Sequence, residues 1–347
     1  MTMATIKEIA KESGVSIATV SNIINGKPGA GEETRKRVLE TIQRLDYRPN
    51  AIAKSLKQKK NRTIGIITED LTVFNTPDIV DGINEYCDEH SYEFVLGNLR
   101  LYKKYGDKFY NSDKYYERVL DEFKMMESKQ VEGIIYIGCH SRKLECIPRK
   151  FPIPVVIAYG FDANEELSSV LFNDEEGAYQ ATCKLIEAGH ENIGVISGLQ
   201  ESIHTKQRLL GYQRALYDNK ILFNPQLVEL GDWSRKSGYD VSKALFEKNI
   251  TAIFAMNDLM AGGVYDFLYE REDKIGKNIA LVGFDNREVS KAYSPALSTI
   301  ELPLFEIGQK SAKLLIDRIT QPDKNITSEI YKINCRFIER KSIVKRA

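Results

Sequence analysis

Residues 5–29, TIKEIAKESGVSIATVSNIINGKPG, decide the architecture of the amino-terminal end. Thr5 and Glu8 have the spacing of a capping box, in which each side chain bonds the other residue's backbone N–H, so a helix starts just after Thr5. Its apolar side chains Ile6, Ile9 and Ala10 share a face, and Gly14 ends it, because a left-handed backbone costs glycine least. Ser16 caps a second helix over 17–25, stopped by the run NGKPG. The connection between the two leaves room only for a sharp turn. That is helix-turn-helix geometry, in which the second helix enters the major groove of DNA. A third helix over 32–45 buries Val38, Leu39, Ile42 and Leu45 and leaves Arg35, Lys36 and Arg37 exposed.

Next comes YRPNAIAKSLKQKKNR, residues 47–62. Pro49 breaks the third helix, and Asn50 can cap a short new one that is too short to persist alone. On spacing alone the segment reads equally as a basic linker carrying Lys57, Lys59, Lys60 and Arg62.

Charge divides the chain at the same place. The 347 residues carry 49 Lys and Arg against 49 Asp and Glu, which excludes a polycation or an acidic-tail protein. Residues 1–62, however, hold 13 basic and 6 acidic residues, a net of +7, and the remainder is −7. A small basic head precedes a large acidic body. The start MTMATIKEIAKESG lacks a signal-peptide core, and no run is long enough to span a bilayer, so a cytoplasmic protein is expected. Five scattered cysteines and four histidines form no metal-binding spacing, so neither a metal nor a cofactor is expected.

Past Arg62 short β-branched runs alternate with amphipathic stretches. Strands are predicted at 63–68, 93–98, 133–138, 154–159, 192–198, 252–257 and 279–284, with helices at 77–90, 176–188 and 260–269 among those between them. Such alternation means parallel sheets covered on both faces, here too many units for one sheet, hence two α/β lobes with a ligand cleft between them. Phosphate-cradling and nucleophile-elbow motifs are missing and no carboxylate pair stands out by spacing, so an enzyme is not expected and no catalytic residue is assigned.

The stretch 5–56, with I-x-x-I-A-x-x-x-G-V-S-x-x-T-V-S, N-G, T-R-x-R-V and Y-x-P-N-x-x-A in order, resembles the DNA-binding headpiece of the lactose-repressor/galactose-repressor (LacI/GalR) family. The body resembles that family's effector-binding core through TEDLTVFNTPDIVDGI, GHENIGVISG, QRLLGYQRAL, GDWSRKSGY, TAIFAMNDLMAGGVYDFL, ALVGFDN and LSTIELPLFEIG. The resemblance implies an all-α helix-turn-helix headpiece (1–48), a hinge helix or linker (49–61) and a two-lobed core like the periplasmic binding proteins, with two parallel Rossmann-like sheets (62–347). Its first lobe would take 62–161 and 303–330, its second 162–302 and 331–347. It implies a homodimer on a pseudo-palindromic double-stranded operator, acting as a repressor. The chain ends without a leucine heptad of the kind that makes some relatives tetrameric.

By this resemblance Ile17, Ala18 and Asn22 read base edges; Asn22 suits adenine, where many members carry an arginine that suits guanine. Thr5 belongs to the DNA-binding set, Ser16, Thr19, Ser21, Asn25 and Tyr47 position the headpiece on phosphates, and Thr19 and Val20 also read as core packing. Asn50, Ala53 and Lys54 lie along the minor groove, and Leu56 is the wedge between bases. In the core, Arg208, Asn257 and Asp285 match polar effector contacts, and Trp233 the aromatic that packs on a sugar ring. Val73, Asn75 and Ile79 line the opposite lobe, with Phe172 as a second aromatic wall. Asp258 reads as the cap of the helix that follows it. Glu69 either faces the cleft or caps a turn with Asp70.

The implied effector is a carbohydrate. The same architecture would also serve a purine or a phosphoprotein co-repressor, and the body alone would suit a sugar-binding receptor. One stretch departs from the family: RLYKKYGDKFYNSDKYYERVL, residues 100–120, is about ten residues longer than usual and rich in Tyr and Lys. It reads as a lid, a dimer or partner contact, or a longer solvated helix.

Overall fold

The computed structural model describes residues 4–47, 61–162, 164, 166–271, 274–322 and 328–346, apart from the side chains at 107 and 111. The chain forms two compact units, 1–61 and 62–347. The expected hinge positions Asn50, Ala53, Lys54 and Leu56 lie outside the described residues.

The first unit is three helices, α1 (Ile6–Ser13), α2 (Ile17–Ile24) and α3 (Glu32–Arg44). Both halves of the capping box form: Thr5 N donates to Glu8 Oε2 at 2.6 Å, and Glu8 N to Thr5 Oγ1 at 3.4 Å. Gly14 ends α1 with φ of 63°, and Ser16 caps α2 by accepting from Thr19 N at 3.0 Å. Ile9, Val20 and Val38 are wholly buried at the centre. Leu39, expected inside, is 49% exposed; the buried stripe of α3 passes through Val38 and Thr41 instead. Arg37, exposed as expected, also donates from Nε to Ser13 O at 3.1 Å and so ties α3 to the end of α1.

The second unit is the two-sheet α/β body. In chain order its elements begin β1 (Thr63–Thr68), α4 (Thr76–Glu89), β2 (Glu93–Asn98), α5 (Leu101–Tyr105) and α6 (Tyr116–Ser128). They continue with β3 (Ile134–Ile137), β4 (Lys143–Leu144), β5 (Val155–Ala158), β6 (Phe161–Asp162), β7 (Ser169–Phe172), α7 (Asp174–Glu187) and β8 (Ile193–Ser197). Then come α8 (Ile203–Asp218), β9 (Val228–Leu230), α9 (Arg235–Phe246), β10 (Ala252–Ala255), α10 (Asp258–Glu270) and β11 (Ala280–Val282). The chain closes with α11 (Glu288–Ala292), β12 (Thr299–Glu301), α12 (Leu304–Thr320), β13 (Ile330–Ile333) and β14 (Arg336–Ile338). The first lobe holds a sheet in the order β13-β7-β5-β3-β1-β2 and the second one in the order β11-β10-β8-β9, all pairings parallel.

The crossings between lobes correct the expected bounds. Because β7 and β13 both belong to the first sheet, the first crossing falls after Phe172 rather than near 162. The last falls after Ile333 rather than at 330. The middle crossing lies where expected, between β12 and α12. The physical reason is that β5 and β7 are parallel neighbours joined without a helix; the helix that covers them, α12, arrives from far along the chain, and its Arg318 donates to Ser168 Oγ at 2.8 Å. On its other side α12 meets α4 so closely that a Cβ at Gly308 would lie 2.1 Å from Ile79 O.

The 100–120 stretch folds onto the first lobe instead of standing in solvent. Phe109 and Tyr115 are buried in a cluster with Leu101, Val119, Phe123 and Tyr136. Beneath them Glu69 is wholly buried and paired with Arg142, whose Nη1 and Nη2 donate to its two oxygens at 3.0 and 2.6 Å. Tyr136 OH and Cys139 N complete the carboxylate's bonds at 3.0 and 2.8 Å. Glu69 therefore neither faces the cleft nor caps a turn; its charge is consumed inside the lobe. Removing one member of such a pair strands the other in a dry interior. Arg142→Met should lower stability by about 3–5 kcal/mol, read as a fall in the urea midpoint; an unchanged midpoint would contradict this account of the lobe.

Candidate functional site

In the headpiece, Ile17, Ala18 and Asn22 lie exposed on α2, Ile17 at 45%. The other expected DNA-contacting side chains among the described residues have internal partners. Thr5 and Ser16 are caps, Ser16 Oγ also lies 2.9 Å from Thr19 Oγ1, and Asn25 Nδ2 donates to Ser21 O at 2.7 Å. Tyr47 is half-buried against the headpiece core. Val20 is core and nothing else. This division leaves two apolar side chains and one carboxamide presented together, which is base-reading chemistry rather than phosphate-binding chemistry.

In the body the residues that matter follow the carboxyl ends of parallel strands, where such folds place their ligands. His140 comes after β3, Tyr159 after β5, Phe172 ends β7, Met256 and Asn257 follow β10, and Asp285 follows β11. They converge on Arg208 of α8, which is 3% exposed. Its Nε donates to Asp174 Oδ1 at 2.7 Å, Nη1 donates to Met256 O and lies 3.7 Å from Asp285 Oδ1, and the guanidinium sits 3.6 Å over the Phe284 ring. Phe172 and Trp233 flank it at 5.9 and 5.7 Å. Asp174 Oδ2 is also 2.8 Å from His204 Nδ1, and the His204 ring stacks on Phe172 at 5.3 Å.

Electrostatics separates the two carboxylates. Burial works to raise Asp174, but His204 and Arg208 outweigh it and hold its carboxyl below the usual range. Burial prevails at Asp285 despite Arg208 and Arg287, pushing it up to about 6. Near neutrality Asp285 is thus an acceptor whose charge a small change in pH removes. Its backbone, with φ of 103°, and those of Trp233 (74°) and Tyr159 (57°) are left-handed, strain of the kind that gathers at binding sites.

The lobes meet directly at this place. Ser141 N donates to His204 Nε2 at 3.4 Å, and His140 Nε2 lies 3.0 Å from Ser202 Oγ. The His140 ring lies 6.4 Å from that of Trp233 and stacks on Tyr110 at 5.2 Å. Burial, with His204, Arg142 and Arg208 nearby, pushes His140 well below the usual imidazole range. Trp233 Nε1 and Asn75 Oδ1 are buried with no hydrogen-bond partner among the described residues, whereas Asn75 Nδ2 donates to Gly138 O at 3.1 Å.

The structure therefore brings together Arg208, Asp285, Trp233 and Phe172; Asn75 is buried in the first lobe, and Val73, half-buried, packs against the cluster under the long segment. It assigns three residues differently. Ile79 is wholly buried in the core where α4 meets α12. Asn257 spends its amide on the scaffold, as the cap of α10 (from Met260 N, 2.7 Å) and as donor to Trp233 O at 2.9 Å. Asp258 is not that cap; it accepts from Thr299 Oγ1 at 2.6 Å and Arg287 N at 2.7 Å, and burial pushes it up to about 8.

Asp174, His204, His140, Tyr159 and Tyr110 were not expected from the sequence. His204 and Arg208 are four residues apart on one helix face, the spacing that lets both reach Asp174, and two of only four histidines meet here. Tyr110 had no such signal, because its position depends on how the long segment folds.

Residues 5–50 match the lacI family of bacterial regulatory proteins, and residues 182–343 match a periplasmic binding protein-like domain. Over 346 residues the chain is 33% identical to catabolite control protein A of Priestia megaterium, covering 97% of this chain and 98% of that protein. Among solved structures, the lac repressor dimer bound to operator and the anti-inducer ONPF superposes with a TM-score of 0.80 at 24% identity, over 99% of this chain and 100% of the other. The transcriptional regulator CelR in complex with cellobiose does so at 0.63 and 25%, over 98% and 99%.

Trp233 is the sole tryptophan, so its emission reports on the cleft alone. A Cβ at Gly198 would lie 1.9 Å from Trp233 Cζ2. Gly198→Ala should displace the indole and shift the emission maximum while leaving the headpiece helices intact by circular dichroism. An unchanged spectrum would mean that the indole is not held where described.

Proposed function

Because the chain belongs to the lacI family of bacterial regulatory proteins, we propose that it represses transcription by binding an operator, under control of a small molecule held between the lobes of its second unit. One observation carries this reading. A helix-turn-helix unit that exposes Ile17, Ala18 and Asn22 is joined, in one chain, to a two-lobed unit that holds buried polar atoms, Trp233 Nε1 and Asn75 Oδ1, with no hydrogen-bond partner among the described residues. The headpiece docks as a homodimer on a pseudo-palindromic site in the cytoplasm, with α2 in the major groove and Asn22 set toward adenine.

The effector reading is a carbohydrate. An indole donor, an amide oxygen and the Asp285 carboxylate suit hydroxyl groups, and the Trp233 face suits the C–H side of a sugar ring. CelR, similar over nearly the whole chain, was solved with cellobiose. A flat nucleobase is the second reading, favoured by the rings of Tyr110, His140, Phe172, His204 and Trp233 around one cleft.

Thermal-shift screening with sugars, sugar phosphates and nucleobases separates the two. A true effector at about a hundredfold its Kd adds about 2.7 kcal/mol, a rise of several degrees in Tm. If none of them raises Tm or alters Trp233 emission, the cleft reading fails.

For a ligand whose hydroxyls donate to Asp285, affinity should increase from pH 5 to pH 7.5, as the carboxylate ionises through about 6. Asp285→Asn should flatten the profile. A wild-type affinity independent of pH would contradict the role given to this carboxylate.

On DNA, Asn22→Arg should move the preference at one base pair from adenine toward guanine by about 1–3 kcal/mol, measured by fluorescence anisotropy on single-substitution operators. An unchanged preference would remove Asn22 from the base-reading set.

A further inference from the structure

Phe109 and Tyr115, which anchor the long segment, each present two sides. Inward, the Arg142 guanidinium lies 5.0 Å over the Phe109 ring, and its Nη2 donates to Tyr115 OH at 3.0 Å. Outward, the same two residues wall a surface cavity of about 460 Å³ that Lys104, Tyr105, Lys108, Ser112 and Lys114 complete. We propose that this cavity is a second ligand site, distinct from the cleft around Arg208, for a small phosphorylated compound that carries a ring.

The lining dictates that class. Three lysines line one cavity, and no described carboxylate lines it or forms an ion pair with Lys104, Lys108 or Lys114. A cavity lined by three cations and no described carboxylate favours an anion, and a phosphate monoester, nearly dianionic at pH 7, supplies that charge in one group. Ser112 Oγ accepts from Lys114 N at 3.3 Å, which leaves its O–H free to donate to a phosphate oxygen. The remaining lining residues are Tyr105, which is exposed, and Phe109 and Tyr115, which are almost wholly buried, so Tyr105 supplies the apolar surface for a cyclic body. The volume lies within the range of small-molecule pockets, about 300–1,000 Å³.

The site is wired to the cleft. Arg142 is two residues from His140, whose ring stacks on Tyr110 of the same segment and whose Nε2 reaches Ser202 of the second lobe. A ligand pressing on the Phe109–Tyr115 wall moves Arg142 and, through His140, the surroundings of Trp233. The binding claim does not rest on the effector reading; only this coupling refers to the cleft.

Phenyl phosphate is the probe, titrated calorimetrically into the full-length protein with inorganic phosphate and phenol as comparators. The expected result is saturable one-to-one binding at least tenfold tighter than either comparator. It should weaken at least tenfold in Lys104→Gln/Lys108→Gln and stay unchanged in Lys277→Gln, an exposed lysine elsewhere. These lysines are exposed, so equal thermal melts of the three proteins check folding. No saturable heat, or equal affinity in the double variant, overturns the site. So does saturation by a poly-glutamate peptide but not by phenyl phosphate, which would make the cavity a contact for an acidic protein. Binding that leaves Trp233 emission unchanged overturns the coupling.

Discussion

The charge pair between Asp174 and Arg208 is the interaction on which the body's arrangement turns. Asp174 stands at the first crossing between lobes, immediately after the strand that ends at Phe172, and Arg208 belongs wholly to the second lobe. A guanidinium this deeply buried persists only if its donors are met, and they are met by Asp174, Met256 O and Asp285, with Phe284 beneath its face. Because the partners come from separate strand ends, satisfying one side chain sets the geometry of three loops. His204 extends the network from Asp174 to the backbone of Ser141 in the first lobe. Relative motion of the lobes therefore cannot leave these bonds unchanged, and a ligand that competes for them acquires leverage over lobe position.

A second charge pair does the corresponding work in the first lobe. Arg142 and Glu69 neutralise each other under the long segment, and Arg142 holds Phe109, Tyr110 and Tyr115 against its guanidinium. The extra residues thus become part of the cleft's surroundings rather than a loose surface loop, and they bring Tyr110 onto His140. Glu69 adds no negative charge to the cleft, so the carboxylate offered there to hydroxyl groups is Asp285, with a carboxyl raised by burial.

What was legible in the sequence was local. Caps and periodicity place the three headpiece helices to within a residue or two, and apolar runs mark seven of the parallel strands. The strand 169–172 escaped because its three apolar residues, Val170, Leu171 and Phe172, are too few to carry a periodicity, and the strand 330–333 because its partner is remote in sequence. The displaced lobe boundaries follow from those two omissions. In the site, Arg208, Asp285, Trp233 and Phe172 came through the resemblance and meet in the structure, whereas Ile79 and Asn257 serve the scaffold. Asp174, His140 and Tyr110 were hidden for one reason: each gains its meaning from contacts with residues far along the chain, which local spacing does not encode.

The central claim is that occupancy of the cleft alters operator affinity through the buried charge network. Its most direct test is the operator affinity of Arg208→Met and of the wild type, by fluorescence anisotropy, with and without a compound that stabilises the wild-type protein. The account predicts that the variant still binds operator with the same salt dependence, since the headpiece is a separate unit, but no longer responds to the compound. A variant whose operator affinity responds to the compound as the wild type does would contradict it.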